Sequence, residues 1–166
     1  MQQRKKAGAQ TQYDTCVHLQ QYTGEWLYAN GSDTIRIYLR KHRTINTVTQ
    51  TIMDDLYGWH EYKIGNNIVE SNYQYRFMPL PYNMDTTWDW QNYSVSLFIP
   101  QGCDNNFFQL RGFITDYTHQ MRLDDVRINI SADRRTLFWH QNERGATFIT
   151  DPRGMTLPST FTLIKQ

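Results

Sequence analysis

Hydrophobic and polar positions alternate along much of the chain, which is the pattern of β-strands. Residues 34–40 show it most clearly, because Ile35, Ile37 and Leu39 are separated by single polar or amphipathic residues. A period of two places these three side chains on one face of a half-buried antiparallel strand. Residues 121–131 repeat the alternation. The chain is therefore predicted to be built mainly of antiparallel strands.

Turn-forming residues divide the rest of the chain into further strands. Asn30-Gly31 is a strong hairpin signal, and Pro79 and Pro81 end a strand because proline cannot donate to a β-ladder. Residues 44–55 are rich in threonine and are compatible with a strand, an extended loop or a lid. The predicted strands are residues 25–29, 34–40, 57–64, 68–77, 93–99, 107–115, 121–131, 136–141 and 160–165.

The number and spacing of these strands predict the fold class. Short strands joined by tight turns are typical of a closed up-and-down barrel or of a β-sandwich. We expect the barrel, in one domain over residues 13–166, and the spacing of Val17, Leu19 and Tyr22 allows a short helical turn before it. Residues 1–12 are small and polar, so they are predicted to be a disordered tail or a processing remnant.

The first predicted strand begins with a motif. Gly24 lies two positions before Trp26 and follows the short helical turn. Glycine lets a strand bend closely over the end of a barrel, and tryptophan buries a large apolar surface there. This Gly-x-Trp motif resembles the entrance of lipocalin-like barrels. The resemblance implies a basic residue over the indole ring late in the last strand, which is Lys165 here, in a contact that contributes about 1 kcal/mol.

The layout of the whole chain is similar to an uncharacterised family of secreted lipocalin-like β-barrels from Gram-negative bacteria. That resemblance implies an all-β, antiparallel up-and-down lipocalin-like barrel and an extracytoplasmic location: periplasmic, associated with the outer membrane, or secreted. It implies no assigned biochemical activity. Thr115-Asp116-Tyr117 matches a further lipocalin element, whereas residues 142–159 carry Gly, Pro and Asp where lipocalins have a long helix. The residues that carry the similarity are Gly24, Trp26, Asn30, Gly31, Ile35, Ile37, Leu39, Leu163 and Lys165.

Composition limits the classes of partner. The chain has 17 basic and 16 acidic residues and a net charge of +1, without the basic stripe that nucleic-acid binding requires. No apolar run approaches the roughly 20 residues of a membrane helix. We therefore expect neither a nucleic-acid partner nor a membrane span. Cys16 and Cys103 are compatible with one disulfide or with two free thiols.

Enzyme and metal motifs are not found in the sequence. There is no Gly-x-Ser-x-Gly elbow, no phosphate-binding glycine loop and no His-Glu-x-x-His. Cys16 and His18 are two positions apart, but a structural zinc site needs four ligands and no second pair is visible. The prediction is a non-enzymatic protein with no catalytic residues, no metal site and no cofactor.

Aromatic side chains, which make up 14% of the residues, are the candidate ligand-binding groups. Tyr73, Tyr75 and Phe77 would share one face of the fourth predicted strand, and Trp88 and Trp90 would share one if their segment is extended. Inside a barrel, such residues line a cavity for an apolar or flat ligand. The alternative is that they only fill a core or cover a barrel end.

Three functions are compatible with these patterns. The first is a barrel that binds a small hydrophobic or amphipathic ligand in its interior, with Trp26 at the closed end. The second is a protein-interaction or envelope-structural domain with a filled barrel and an exposed aromatic surface near Trp88 and Trp90. The third is a carbohydrate-binding sandwich. A cavity inside the barrel would separate the first function from the second.

Overall fold

The chain folds into ten strands and two short 3₁₀ helices, counted over the residues that the structure describes. A computed structural model describes residues 18–46, 50–83, 93–98, 109–142, 146–148 and 154–166. The 3₁₀ helices are Leu19–Tyr22 and Tyr73–Tyr75. The strands are β1 (Gly24–Asn30), β2 (Asp33–Asn46), β3 (Thr51–Ile64), β4 (Asn67–Ser71), β5 (Val95–Phe98), β6 (Gln109–Asp116), β7 (Met121–Ile130), β8 (Thr136–Gln141), β9 (Ala146–Phe148) and β10 (Thr160–Lys165).

Eight of the ten described strands close into a ring in the order β1-β2-β3-β5-β6-β7-β8-β10, and β10 returns to pair with β1. Every pairing in the ring is antiparallel. The predicted up-and-down barrel with a short N-terminal helical turn is therefore confirmed. The sandwich alternative is wrong, because the β2–β3 and β1–β10 pairings join all eight strands into one closed sheet. Outside the ring, β4 pairs with β3 and β9 pairs with β7.

The β2–β3 hairpin is the longest pairing in the barrel. Its strands are 14 residues each and stay in register from Asp33 opposite Ile64 to Asn46 opposite Thr51. Because β1 pairs with β2 only as far as Leu39, the part of the hairpin toward Asn46 and Thr51 extends beyond the end of the barrel. For residues 44–55 the sequence was compatible with a strand, an extended loop or a lid, and the described residues 44–46 and 51–55 are paired strands of this extension.

Side chains fill the interior of the barrel. Trp26, Ile37 and Leu97 have 0% exposure and belong to one continuous apolar cluster. A void large enough for a ligand would leave exposed area on the side chains around it, and these walls have none. The interior is therefore packed like an ordinary protein core. The other fully buried members of the cluster are Leu19, Tyr22, Ile35, Leu56, Val95, Leu110, Ile114, Leu123, Val126, Ile128, Leu137 and Leu163.

Segments outside the strands contribute to the packing at both ends of the barrel. Where β1 begins, the 3₁₀ helix places Tyr22 in the core, and the Tyr22 carbonyl accepts a hydrogen bond from Trp26 Nε1 at 2.8 Å. At the opposite end, the segment before β10 adds Met155 and Leu157 to the same cluster. Gln141 Nε2 fixes this segment by donating to the Leu157 carbonyl at 3.1 Å.

The predicted strand at residues 68–77 is wrong in its second half, because β4 ends at Ser71 and a 3₁₀ helix follows. Asn72 supplies the physical reason. Its Oδ1 accepts the His60 N–H at 3.0 Å, and its own N–H donates to the His60 carbonyl at 3.1 Å. The β3–β4 ladder therefore ends on a side chain, and the main chain turns away from the sheet.

Residues 72–83, which we call the strap, then cross the outer face of β2 and β3. Arg40 Nη2 donates to the Met78 carbonyl at 2.8 Å, and the Ile45 N–H donates to the Tyr82 carbonyl at 2.8 Å. A second aromatic core lies beneath the strap and buries the outer face of the barrel on this side. Its members are Tyr57, Trp59, Leu80 and Tyr93, with the partly buried Tyr38, Tyr75 and Phe113 packed against them.

Candidate functional site

The aromatic residues predicted to bind a ligand are not brought together inside the barrel. Tyr73 is buried beside a cleft on the outer wall, Tyr75 packs into the core under the strap, and Phe77 is 66% exposed. The prediction that these three share a strand face is wrong, since two of them lie in a 3₁₀ helix and the third in the following turn. Trp88 and Trp90 lie outside the described residues.

Gly24, Trp26 and Lys165 meet at one end of the barrel. The Nζ atom of Lys165 lies 5.2 Å from the centroid of the buried Trp26 ring and donates to the Gln21 carbonyl at 3.2 Å. Gly24 has a φ of +111°, which side chains rarely adopt, and a Cβ there would lie 3.6 Å from Lys165 Cε. The lysine thus packs over the indole and ties the 3₁₀ helix to the last strand.

A cleft of about 940 Å³ opens on the outer wall of the barrel. One side is formed by β4 and the 3₁₀ helix of the strap, and the other side by the β6–β7 turn at residues 117–120. We call it the β4 cleft. Its lining mixes apolar, aromatic, amide, hydroxyl and charged side chains: Glu61, Ile68, Val69, Glu70, Ser71, Tyr73, Gln74, Arg76, Tyr117, Thr118 and Gln120.

Two hydrogen bonds join the two sides at the base of the β4 cleft. The Tyr117 N–H donates to Glu70 Oε1 at 2.9 Å, and Thr118 Oγ1 donates to the Val69 carbonyl at 3.4 Å. Gln120, in the same turn, has a φ of +51°, which lies in the left-handed region. A non-glycine residue in that region carries a cost of about 1–3 kcal/mol and is enriched at functional sites.

Arg76 presents a fixed cation at the rim of the β4 cleft. Its guanidinium carbon lies 4.2 Å from the Tyr73 ring centroid and 4.4 Å from the Phe77 ring centroid, and its Nη1 donates to the Tyr73 carbonyl at 3.0 Å. Burial, and then the neighbouring Glu25 carboxylate, raise the pKa of Tyr73 to about 12. The phenol is therefore neutral at physiological pH. The rim combines a cation with two aromatic rings.

A buried serine–histidine–carboxylate chain lies behind the β4 cleft. His60 Nδ1 is 2.7 Å from Ser94 Oγ, and His60 Nε2 is 3.2 Å from Glu70 Oε1. Ser94 Oγ also lies 3.1 Å from Asn72 Oδ1. No enzyme motif marks these residues, because they come from separate segments. His60 and Ser94 both have 0% exposure, so a substrate cannot reach the hydroxyl in this arrangement.

Asp116 links the β6–β7 turn to the segment that packs into the end of the barrel. It is fully buried and accepts N–H groups from His119, at 2.9 Å, and from Thr156. Burial favours its neutral form, but the hydrogen bonds from Thr156 and His119 outweigh burial and lower the pKa of Asp116. His119 Nδ1 donates to the Gly154 carbonyl at 2.6 Å. The Thr115-Asp116-Tyr117 element therefore holds the β6–β7 turn against residues 154–156, which is a structural role.

Two further findings bear on the kind of site. Over the described residues, no group of three or more His, Cys, Asp or Glu side chains is placed to hold a metal ion. None of the helices in those residues combines the length and apolar character needed to cross a membrane. Cys16 and Cys103 lie outside the described residues.

Fold and site together define a closed, side-chain-filled, up-and-down β-barrel with an open mixed-polarity cleft on its outer wall. The chain belongs to the Family of unknown function (DUF6705), whose model matches residues 2–166. Neither a curated protein nor a solved structure matches the chain. The predicted membership in an uncharacterised β-barrel family is therefore confirmed, whereas secretion and a Gram-negative origin stay predictions.

Proposed function

We propose that this protein is a non-catalytic binding protein that takes a small amphipathic ligand in the β4 cleft. The observation that carries the proposal is the contrast between the two candidate locations. Among the described residues, the side chains at the centre of the barrel, such as Trp26, Ile37 and Leu97, have 0% exposure, whereas the β4 cleft is open and has about 940 Å³. That volume lies at the upper end of the range of about 300–1,000 Å³ for small-molecule sites.

The lining of the β4 cleft suits a ligand with one apolar and one polar part. Ile68 is 60% exposed, and Val69 follows it, so an apolar surface is available to cover. Gln74 and Thr118 can hydrogen-bond to neutral polar groups, and Arg76 can bind a carboxylate or phosphate. A purely apolar molecule would leave these groups unpaired, which favours an amphipathic ligand.

The burial of the Ser94–His60–Glu70 chain supports a non-catalytic role. A nucleophilic serine must reach its substrate, and Ser94 is enclosed by the barrel wall. The contacts of its hydroxyl with the Gly58 carbonyl and with Asn72 Oδ1 satisfy polar groups of β3 and of the strap. These groups thus hold the wall in place behind the cleft.

We also propose that the protein works outside the cytoplasm of a Gram-negative bacterium. The support is the resemblance of the Gly24 and Trp26 entrance and of the strand layout to secreted barrels of such organisms. Fractionation of the host cell, with antibody detection, tests the location. Recovery of the protein only in the cytoplasmic fraction would contradict it.

A partner protein is the second candidate occupant of this side of the molecule. The specific observation is the exposure of Phe77, Met78 and Tyr82 along the strap, next to the β4 cleft. Such neighbouring exposed apolar residues mark interaction surfaces. Substitutions on the strap and in the β4 cleft distinguish the two candidates.

The test is an NMR titration of the ¹⁵N-labelled protein with a panel of amphipathic carboxylates, amines and alcohols. We expect saturable shifts for Ile68, Ser71, Gln74, Thr118 and Gln120, and none confined to the interior strands. Ile68→Glu should abolish binding, because it places a charge on the apolar part of the β4 cleft. Ile164→Glu is the matched control, since Ile164 is 50% exposed on β10, away from the cleft.

Three outcomes count against the proposal. The first is that no panel member shifts the cleft residues at millimolar concentration. The second is that Ile68→Glu and Ile164→Glu lose binding equally. The third is a ligand that shifts Ile37 and Leu97 and not the cleft, which would move the site into the barrel. Binding lost in Phe77→Ser with Ile68→Glu unaffected would favour the strap candidate.

A further inference from the structure

The ring of strands has a gap between β1 and β10. These strands pair only at Trp26 with Lys165 and at Leu27 with Ile164. Beyond that point, residues 28–30 of β1 stay paired with β2 and residues 160–163 of β10 stay paired with β8, but no described residue bridges the two edges. We call this gap the β1–β10 seam.

Both edges of the seam direct backbone groups into it. The Lys165 N–H donates to the Arg135 carbonyl, on the side of β8, so Ile164 directs its groups toward β1. Residues alternate along a strand, and Thr162 therefore also faces β1. On β1, Asn30 pairs with Asp33 in the hairpin, so Ala29 faces the seam. Ala29 and Thr162 each present an N–H and a C=O that no strand of the described residues pairs with.

The seam also has an aromatic floor. A groove of about 460 Å³ lies along its β10 side, and Tyr28 of β1 lines it from the other side. On its inner side the rings of Tyr28 and Phe161 are 5.8 Å apart, and Phe161 stacks on Trp139 at 5.5 Å. On the outer side, Phe138 is 47% exposed next to β10. The residues that line the groove are Tyr28, Phe138, Trp139, Thr160, Phe161 and Thr162.

We propose that the β1–β10 seam binds an extended peptide segment of a partner protein, which adds a strand between β1 and β10. An exposed edge pairs with another strand, and here two antiparallel edges face each other. An extended backbone presents groups to both sides in alternation and so satisfies Ala29 and Thr162 together. A small molecule or a folded surface cannot supply that pattern.

The surroundings define the chemistry of the segment. Tyr28 and Phe161 occupy the inner side, so the peptide residue that faces inward must be small. Residues on either side of it face outward, toward the exposed Phe138 and Ile164, and are expected to be apolar. The predicted ligand is therefore a short strand that alternates apolar and small residues.

Amide hydrogen exchange on the free protein is the first test. The amides of Ala29 and Thr162 should exchange about tenfold or more faster than those of Tyr28 and Leu163, which donate within the barrel. Equal protection of all four amides would overturn the proposal, because it would mean that the seam is already paired, whether closed or filled by another part of the chain.

The second test uses a phage-displayed library of linear 12-residue peptides selected against the full chain. Selected peptides, made synthetically, should carry the alternating pattern and slow the exchange of Ala29 and Thr162. Ala29→Pro, which removes the N–H, should weaken binding about fivefold or more, whereas Ala29→Val should not, since it keeps the N–H. Thermal melting of both variants shows whether each is folded.

Two outcomes would overturn the proposal. The first is that folded Ala29→Pro and Thr162→Pro bind the peptides as tightly as the natural protein does. The second is that the selected peptides shift only the NMR signals of residues in the β4 cleft. Ile68→Glu separates this idea from the proposed ligand site. It should abolish small-molecule binding in the cleft and leave peptide binding at the seam intact, so either site can fail alone.

Discussion

Removing the indole of Trp26 should open a cavity in the closed end of the barrel. Trp26 has 0% exposure and lies in the continuous interior cluster. Its ring nitrogen donates to the Tyr22 carbonyl at 2.8 Å, and Lys165 Nζ lies 5.2 Å from the ring centroid. Trp26→Ala therefore removes a packed ring, one buried hydrogen bond and one cation–π contact.

The expected cost follows from these three contacts. Truncating a buried tryptophan to alanine costs about 3–5 kcal/mol. The Tyr22 carbonyl would lose its donor, which costs about 1–3 kcal/mol if water does not replace it, and the lysine contact contributes about 1 kcal/mol. Because neighbouring effects are not additive, we expect a total near 5 kcal/mol. A small domain has only about 5–15 kcal/mol of stability, so the variant should be marginal.

Urea unfolding followed by circular dichroism measures the loss, and indole supplies the control. Indole can refill the cavity and donate again to Tyr22, so it should raise the midpoint of Trp26→Ala but not that of the natural protein. At ten times its dissociation constant the gain is about 1.4 kcal/mol. Trp26→Phe keeps an aromatic ring and should lose about 1–3 kcal/mol, which keeps the series measurable if the alanine variant does not fold.

Two results would refute this reasoning. A loss below about 1 kcal/mol in Trp26→Ala would mean that the indole is not part of a packed core. An equal effect of indole on the natural protein would mean that a cavity already exists in the barrel. The second result would also reopen the interior as a ligand site.

Three further perturbations test the barrel wall. Burial, and then the neighbouring Asp54 carboxylate, raise the pKa of Asp55 to about 6. The folded state therefore favours the protonated carboxyl, and the free energy of unfolding should fall as pH rises from about 4 to 6. Urea titrations at several pH values should show that Asp55→Asn removes this fall. The lowered pKa of Asp116 acts in the opposite sense, since its stabilisation is lost as pH falls below about 4, and Asp116→Asn should flatten the acid limb of stability. In Gly112→Ala the new Cβ would overlap a backbone carbonyl of β5, so chemical denaturation should show that the free energy of unfolding falls by about 3 kcal/mol. Gly31→Ala is the control, with an expected fall of about 1 kcal/mol, because its Cβ meets open space and only its left-handed backbone is strained.

The parts of the fold that the sequence predicts are those set by local pattern. The period of two in residues 34–40 places Ile35, Ile37 and Leu39 inside the barrel, where they are buried. The two-residue turn after Asn30 fixes the register of β1 with β2. Trp26 and Lys165 are adjacent in the structure because the first and last strands of an up-and-down barrel must pair to close it.

The parts that local pattern does not determine depend on single side chains acting at a distance in sequence. Residues 73–77 alternate like a strand, but Asn72 captures the main chain of His60 and ends β4. The polar chain behind the β4 cleft joins His60, Glu70 and Ser94, which no spacing rule connects. A polar residue phased with the buried face of β3 was the available signal, since His60 pairs with Ile37.

Both proposed binding sites lie where the ladder of the barrel is interrupted. At the β4 cleft, β5 pairs with β3 only from Leu56 to Gly58, and β4 takes over the edge of β3 beyond it. The bonds from Ser94 to Gly58 and from Tyr117 to Glu70 then replace regular pairing. At the β1–β10 seam, nothing in the described residues replaces it. The buried polar network therefore fixes the shape of the β4 cleft. The described residues provide no such network at the β1–β10 seam, so its backbone groups can pair with a partner strand.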